Sequence, residues 1–225
     1  MVGKAIRESE VPREDIIVAS KLPGRHHQYD QARVTIEESV ARMGLDYIDL
    51  YLIHWPNPSQ GQSVEAWQAL VDAQKQGIVK HIGVSNFAVA RLERARACAG
   101  HPIAANQVHY NLAVREAELS GLTDYCVEHD IMLIAWRPLQ KGTLDAEAPE
   151  LLREIARRHG RTPAQIALAW LAAQPNTVTI STMRDRRHQL LNCEALEFTL
   201  PAEELQRLSR EFPGQEAVSG AVPLR

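Results

Sequence analysis

The sequence predicts an α/β protein of the TIM (β/α)8-barrel type, in which parallel strands alternate with helices. Short β-branched apolar runs alternate with longer segments of helical periodicity along the whole chain. The strands recur at intervals of roughly 25–45 residues, as expected for consecutive βα units. No strand is followed by the glycine-rich turn of a doubly wound sheet. A closed barrel of this type needs eight strands, but the sequence contains only six candidate strands. We therefore expect a barrel-type fold that lacks two of its eight βα units.

The strand predictions rest on runs of apolar residues bounded by turn residues. Residues 47–54 are apolar on both faces except at Asp49, a pattern typical of a parallel strand covered on both sides. The other runs are shorter. We predict strands, in order, at residues 16–21, 47–54, 81–84, 104–108, 131–136 and 177–180.

The helix predictions rest on apolar spacing and on capping residues. Gly77 is a plausible C-terminal cap for the helix before it. Thr162 and Pro163 have the types favoured at the N-cap and the first helical position. We predict helices at residues 30–43, 63–76, 88–98, 114–129, 149–159, 162–173, 186–192 and 201–210. Residues 213–225 contain two prolines and two glycines, which predict a C-terminal loop.

Length and composition favour one domain over residues 1–225 and exclude several classes of function. The formal net charge of −3 gives no basic field for nucleic acid. No apolar run is long enough for a membrane helix, and residues 1–10 do not resemble a signal peptide. Three cysteines without CxxC spacing predict reduced thiols in a cytoplasmic protein. The nine histidines show no spacing typical of metal ligands, so no metal is expected.

Polar and aromatic residues follow the predicted strands. In a (β/α)8 barrel the functional groups lie at the carboxyl ends of the strands. A lysine and a histidine on neighbouring strands suit proton transfer, because a nearby cation lowers the pKa of an acid. Amide and hydroxyl groups suit a carboxamide ring, and an indole offers it a stacking face. These strand-end residues are Lys21, His54, Ser85, Asn86, Gln107, Trp136 and Arg137.

Each of these residues also has a purely structural interpretation. Lys21 is then a solvated lysine and His54 a histidine at the rim of the fold. Trp55 and Trp136 are then core aromatics. The pair Ser85 and Asn86 is then the N-cap of the helix that follows. A further alternative is an unrelated barrel enzyme in which Lys21 forms a Schiff base.

Four sequence motifs, in order, resemble those of the aldo-keto reductases. The strand signatures read LYLIHWP at residues 50–56, IGVSNF at 82–87, NQV at 106–108 and AWRPLQKG at 135–142. Residues 2–6 are similar to the end of the family's second helix. The resemblance extends from Met1 to the C-terminal tail, and bacterial 2,5-diketogluconate reductases are the nearest relatives it suggests.

The resemblance implies NADPH-dependent reduction of aldehydes or ketones by hydride transfer, with a small carbonyl compound as the partner. Lys21 matches the lysine that lowers the pKa of the catalytic tyrosine, and His54 the histidine that polarises the carbonyl. Trp55 matches a wall of the substrate pocket. The cofactor residues come from the later strands and the loop after residue 136. They are Ser85, Asn86 and Gln107 for the carboxamide, Trp136 for the ring, and Arg137, Leu139 and Lys141 beside the pyrophosphate.

The 2′-phosphate site departs from the family pattern. Thr182 and Met183 stand in the run after the last strand, and His188 stands where the family has arginine. Asn192 matches an adenine contact, and Arg184, Arg186 or Arg187 could supply the phosphate contact. NADPH is therefore expected, with NADH as an alternative.

The family's catalytic aspartate and tyrosine match no residue of this chain. In the family both precede the region similar to residues 1–6, together with the first two βα units. The sequence therefore predicts an N-terminally incomplete domain, impaired reductase activity and an open first strand available for self-association. The alternative is a non-catalytic protein that binds a dinucleotide or a partner on the same scaffold.

Overall fold

The structure is a computed structural model that describes residues 1–56, 60–99, 101–183 and 185–224, with no description of the side chains at 60–63, 98 and 99. The chain divides into two compact units, residues 1–106 and residues 107–224. The prediction of a single domain over residues 1–225 stays a prediction.

Six parallel strands form one sheet whose strand order follows the chain. The predicted α/β class and the six strands are therefore confirmed. Strand β1 ends the sheet on one side, as predicted, whereas the self-association inferred from this edge is untested. The strands are β1 (Ala19–Leu22), β2 (Ile48–Ile53), β3 (Val79–Ser85), β4 (Ala105–His109), β5 (Met132–Trp136) and β6 (Thr177–Ile180).

The first α-helix precedes the first strand, and the other α-helices fall between the strands or after the last one. All eight predicted helical segments are helical in the structure, although their bounds shift and one is divided in two. They are α1 (Val2–Arg7), α2 (Tyr29–Met43), α3 (Gln60–Lys75), α4 (Val89–Ala99), α5 (Glu116–Leu119), α6 (Leu122–Glu128), α7 (Thr143–Ala146), α8 (Glu150–His159), α9 (Pro163–Ala172), α10 (Arg186–Glu194) and α11 (Ala202–Glu211).

In the first unit, α2 and α3 pack beside each other and strand β2 is buried. Tyr51 and Leu52 are fully buried, which confirms the interpretation of β2 as a strand covered on both faces. The Tyr29 hydroxyl of α2 donates to the Asp72 carboxylate of α3 at 2.9 Å. A Cβ at Gly3 would lie 1.8 Å from the Met43 carbonyl oxygen, so only glycine lets α1 approach the end of α2.

Asp49, the one charged residue inside β2, anchors the segment that leads into β1. Its Oδ2 accepts hydrogen bonds from the Val18 backbone N–H at 3.0 Å and from Arg13 Nη2 at 2.8 Å. Lys80 Nζ lies 3.5 Å from Oδ1. Burial raises the pKa of Asp49, but the Val18 hydrogen bond and the two cations outweigh it and hold the pKa below its ordinary value.

The first predicted strand is shorter than expected, and the reason involves Val18, which Asp49 holds. The Val18 carbonyl accepts from the N–H groups of both Asp49 and Leu50, at 3.1 Å each. Regular pairing therefore begins only at Ala19, opposite Leu50. Ile17 is 80% exposed, so the prediction that this strand begins at residue 16 was wrong.

In the second unit, the predicted helix at residues 114–129 was wrong as a single element. Gly121 has a φ of 72°, a left-handed conformation that ends α5 and starts α6. The predicted capping of α9 is confirmed, because Thr162 and Gln165 exchange side-chain to backbone hydrogen bonds in a capping box. Helix α9 is buried along most of its length.

The C-terminal tail is irregular, as predicted, but it is attached to the second unit by hydrogen bonds. The Glu216 carbonyl accepts from the Arg115 N–H at 3.0 Å, and Ser219 is buried. Cys126 and Cys193 are free thiols, and the side chain of Cys98 lies outside the described residues. Over the described ranges, no helix is both long and apolar enough to cross a membrane.

We predict that Asp49→Asn lowers the free energy of unfolding by about 1.5–3 kcal/mol at neutral pH, the range for hydrogen bonds to charged groups. Since the folded pKa of Asp49 is depressed, its contribution is present above the carboxyl's ordinary pKa and is lost as the pH falls through the folded value. Urea unfolding at neutral and acidic pH measures both effects.

The matched control is Asp46→Asn, because Asp46 is exposed and lies outside β2. This control is expected to change the unfolding free energy by less than about 0.5 kcal/mol. Equal stability of the two variants at neutral pH would contradict the anchoring role of Asp49.

Candidate active site

Lys21 and His54 lie at the carboxyl ends of two neighbouring parallel strands in the first unit. Lys21 is opposite Leu52 in the ladder between β1 and β2. His54 directly follows β2, and its backbone N–H donates to the Leu22 carbonyl at 3.0 Å. The backbone pairing therefore sets these two side chains on adjacent strand ends, as the sequence predicts.

Both side chains are partly desolvated and interact electrostatically. Burial lowers the pKa of Lys21. Burial also lowers the pKa of His54, and the positive charge of Lys21 lowers it further. The His54 ring is therefore neutral near physiological pH, and one of its nitrogens carries a hydrogen that can be donated to a carbonyl oxygen. This environment does not fit the interpretation of Lys21 as a fully solvated lysine.

Trp55 extends this surface toward solvent. Its ring stacks on the His54 ring with centroids 4.9 Å apart and planes 25° apart. The Trp55 side chain is 37% exposed, so it is not a core aromatic. A half-exposed aromatic wall beside a neutral imidazole is suited to an uncharged organic substrate.

Ser85 and Asn86, at the end of β3, are both buried. Asn86 has a φ of 62°, a left-handed conformation uncommon outside glycine. Its Nδ2 donates to Ser85 Oγ at 3.1 Å and lies 3.4 Å from the His54 carbonyl oxygen. The Asn86 amide is thus directed toward the other strand ends, and the alternative of an N-cap for α4 does not account for these contacts.

In the second unit, Trp136 ends β5 and its ring contacts two side chains. Its ring stacks on His109 with centroids 4.4 Å apart and an angle of 18°. The Arg137 guanidinium lies 5.0 Å from the centroid of the Trp136 ring. Gln107 is buried on β4. His109 was missed by the sequence analysis, although it follows Gln107 by two residues and so lies on the same face of β4.

A cavity of about 830 Å³ in the second unit is lined by most of the residues predicted to hold the cofactor. Arg137, Lys141 and Arg187 bring positive charge among its described lining residues, and Asp145 a negative one. The predicted residues that line it are Trp136, Arg137, Leu139, Lys141, Thr182, His188 and Asn192. Guanidinium and ammonium groups around a volume of this size suit a phosphate-bearing ligand.

Some predicted residues are not part of this cavity, and others were missed. Met183 does not line it, so the prediction of Met183 as a cofactor contact has no support in this geometry. Arg184 lies outside the described residues. Asp145 and Thr162 do line it. Thr162 was interpreted only as a helix cap, and Asp145 lies in α7, which no periodicity indicated.

The loop after β5 has an unusual backbone. Arg137, Gln140, Lys141 and Gly142 all have φ between 47° and 97°. For residues other than glycine this conformation is costly, and it persists where the surroundings enforce it. A strained segment beside a cavity is typical of a ligand-binding loop. Within the described ranges, no three His, Cys, Asp or Glu side chains come together as a metal-binding group.

The comparison with known proteins agrees with this geometry. A profile of the Aldo/keto reductase family matches residues 1–210. The 2,5-diketo-D-gluconic acid reductase B of Corynebacterium sp. is 38% identical over 208 residues, which cover 92% of this chain and 73% of that protein.

Two solved structures resemble the fold closely. A thermostable aldo-keto reductase, Tm1743, solved with the inhibitor epalrestat, has a TM-score of 0.87 and 38% identity, over 92% of this chain and 75% of that one. A mutant of Gox0644 in complex with NADPH has a TM-score of 0.85 and 32% identity, over 100% and 77%. This likeness confirms the predicted (β/α)8-barrel type of fold, and the match to nearly the whole length shows that the chain belongs to the aldo/keto reductase family of oxidoreductases.

Proposed function

We propose that this protein reduces the carbonyl group of a small aldehyde or ketone with NADPH. The cavity beside Trp136 carries this proposal, because it combines a stacking surface, cationic side chains and a strained loop in one unit. A relative of the same fold, Gox0644, has been crystallised in mutant form with NADPH. NADPH bound here would supply the hydride.

The residues of the second unit fit the parts of a dinucleotide. Trp136 would stack on the nicotinamide ring, and Gln107 of the same unit would bind its carboxamide. Ser85 and Asn86, in the first unit, are proposed as carboxamide ligands on the family resemblance alone. Arg137 and Lys141 would neutralise the pyrophosphate charge. The adenosine end would lie along the residues that follow β6, of which the described members facing the cavity are Thr182, Arg187, His188 and Asn192.

Lys21 and His54 would act on the substrate. The neutral His54 ring would donate a hydrogen bond to the carbonyl oxygen and so orient it for reduction. The positive charge of Lys21 would stabilise an oxyanion formed there and lower the pKa of a neighbouring acid. Trp55 would form one wall of the substrate pocket.

The acid that protonates the alkoxide is not assigned to any tyrosine of these 225 residues. Tyr29 donates to Asp72, and the Tyr47 ring lies against Arg13 and Lys80. Of the remaining three, Tyr51 bonds to Ser39, Tyr110 donates to Glu118 and Tyr125 packs edge-on against His129. We therefore propose that a polypeptide limited to these residues reduces carbonyls slowly. The expected rate is about 10²–10⁴-fold lower than the rate with a positioned acid.

We predict that NADPH binds this chain and quenches its tryptophan fluorescence, and that Trp136→Ala weakens binding by at least tenfold. The control is Trp55→Ala, which removes an aromatic assigned to the substrate and is expected to leave NADPH affinity within about twofold. Isothermal titration calorimetry measures both constants. Failure of the unchanged chain to bind NADPH would contradict the proposed function.

Turnover of a simple aldehyde, followed through NADPH consumption, tests the chemistry separately. Slow, His54-dependent reduction supports the proposal in full. Rapid reduction supports the reductase but contradicts the slow rate proposed for these residues alone. Binding without any turnover at high enzyme concentration favours the alternative of a non-catalytic dinucleotide-binding protein.

We predict further that Arg187→Ala reduces the preference for NADPH over NADH by about tenfold, because Arg187 lines the cavity near the proposed adenosine end. The matched control is Arg186→Ala, since Arg186 is exposed and does not line this cavity. Binding constants for the two dinucleotides measure the preference. Equal effects of the two substitutions would rule out Arg187 as the phosphate contact.

A further inference from the structure

His109 lies at the centre of a buried polar network that links three segments of the second unit. Its Nδ1 lies 2.6 Å from Ser219 Oγ, in the C-terminal tail. Its Nε2 lies 2.9 Å from Gln140 Oε1, in the strained loop at 137–142. Because the Gln140 oxygen only accepts, Nε2 carries the proton, and the Ser219 hydroxyl donates to Nδ1. The same imidazole stacks on Trp136.

The tail residue in this network is held firmly in place. The buried Glu116 carboxylate accepts from the backbone N–H groups of Ser219 and Leu224, at 2.9 Å each. Ser219 Oγ also accepts from the Val222 N–H at 3.0 Å. The Ser219 hydroxyl therefore faces His109 from a fixed position, because hydrogen bonds to Glu116 and to the Val222 N–H hold the tail on both sides of it.

The loop residue in the network belongs to the segment with left-handed backbone. Gln140 itself has a φ of 47°. The buried Asn111 donates to the Arg137 carbonyl at 2.8 Å and lies 3.3 Å from Gln140 Oε1. Side chains of β4 and of the segment after it thus hold the loop at Arg137 and at Gln140. Without such contacts a strained loop of this kind would relax.

We propose that His109 is a positioning residue that transmits the docking of the C-terminal tail, through Ser219 and Gln140, to the loop and the tryptophan that bind the nicotinamide half of the dinucleotide. This inference rests on the proposed function, because it assumes that the cavity beside Trp136 binds NADPH. It adds that the affinity for the nicotinamide half of NADPH depends on the C-terminal tail, although Ser219 does not line the cavity.

The protonation state of His109 agrees with this role. Burial lowers the pKa of the ring, and the charge of Arg137 lowers it further. The hydrogen bond to Gln140 and the carboxylates of Glu216 and Glu116 raise it, but the net direction is downward. The neutral ring can therefore accept from Ser219 and donate to Gln140 at the same time, which a doubly protonated ring cannot do.

The experiment compares two ligands on the full chain, NADPH and adenosine 2′-monophosphate, by isothermal titration calorimetry. The second ligand carries neither the nicotinamide nor the pyrophosphate, so it does not reach Trp136 or the cations of the loop at 137–142. Ser219→Ala and His109→Phe, which retains a stacking ring, are each expected to weaken NADPH binding by about fivefold, the loss typical of one hydrogen bond. Both should leave the affinity for the monophosphate within about twofold.

The matched control is Ser209→Ala, which removes another serine hydroxyl of the second unit, bonded to Trp170 Nε1 at 3.0 Å. It is expected to change neither constant by more than about twofold. The double variant Ser219→Ala with His109→Phe should bind NADPH no more weakly than His109→Phe alone. The reason is that Ser219 is proposed to act through His109, so the two losses are not additive.

The outcomes separate the two proposals. If the unchanged chain binds neither ligand, the proposed function fails. If it binds both and the variants bind NADPH as tightly as the unchanged chain, the positioning role is wrong. Equal weakening of both ligands also overturns it, because a merely structural defect would loosen the whole cavity. Selective weakening of NADPH supports it.

Discussion

The buried carboxylate of Asp49 is the contact on which the first unit depends. It lies inside an otherwise apolar strand, where an uncompensated charge would be strongly destabilising, and two cations and a backbone N–H compensate it. By holding the Val18 backbone, it determines where β1 begins to pair with β2. That register in turn brings Lys21 to the strand end beside His54, so an ion pair at one end of the strands helps to set the positions of the two side chains proposed to be catalytic at the other.

The second unit is also organised by a buried polar network, but one without a central charge. Its polar network is neutral at the centre, in the imidazole of His109, and it connects a tail, a loop and an aromatic platform. Buried hydrogen-bonded networks define one arrangement of their members, because any alternative leaves a buried group unsatisfied. The loop at 137–142 is therefore held in one shape by contacts within the protein. The proposed binding of a dinucleotide would then not have to order the loop at full entropic cost.

The sequence predicted the fold class, the six strands and seven of the described residues that line the cavity. It did so because functional groups lie at the ends of parallel strands and apolar runs mark strands. It failed where tertiary contacts override local pattern. The late start of β1 depends on the Asp49 side chain, and the break in the helix at residues 114–129 depends on one left-handed glycine. His109 was overlooked since its partner Ser219 is 110 residues away, in a tail that composition describes only as a loop.

The most direct test of the account is an NMR titration of His54 in the unchanged chain and in Lys21→Met, with the resonance assigned through His54→Gln. We predict a His54 pKa below its ordinary value, because the ring is partly buried and faces the charge of Lys21. Removing that charge should raise the pKa while leaving it below the ordinary value, since burial remains. An unchanged pKa in Lys21→Met would contradict the coupling of the two residues and, with it, the catalytic roles proposed for them.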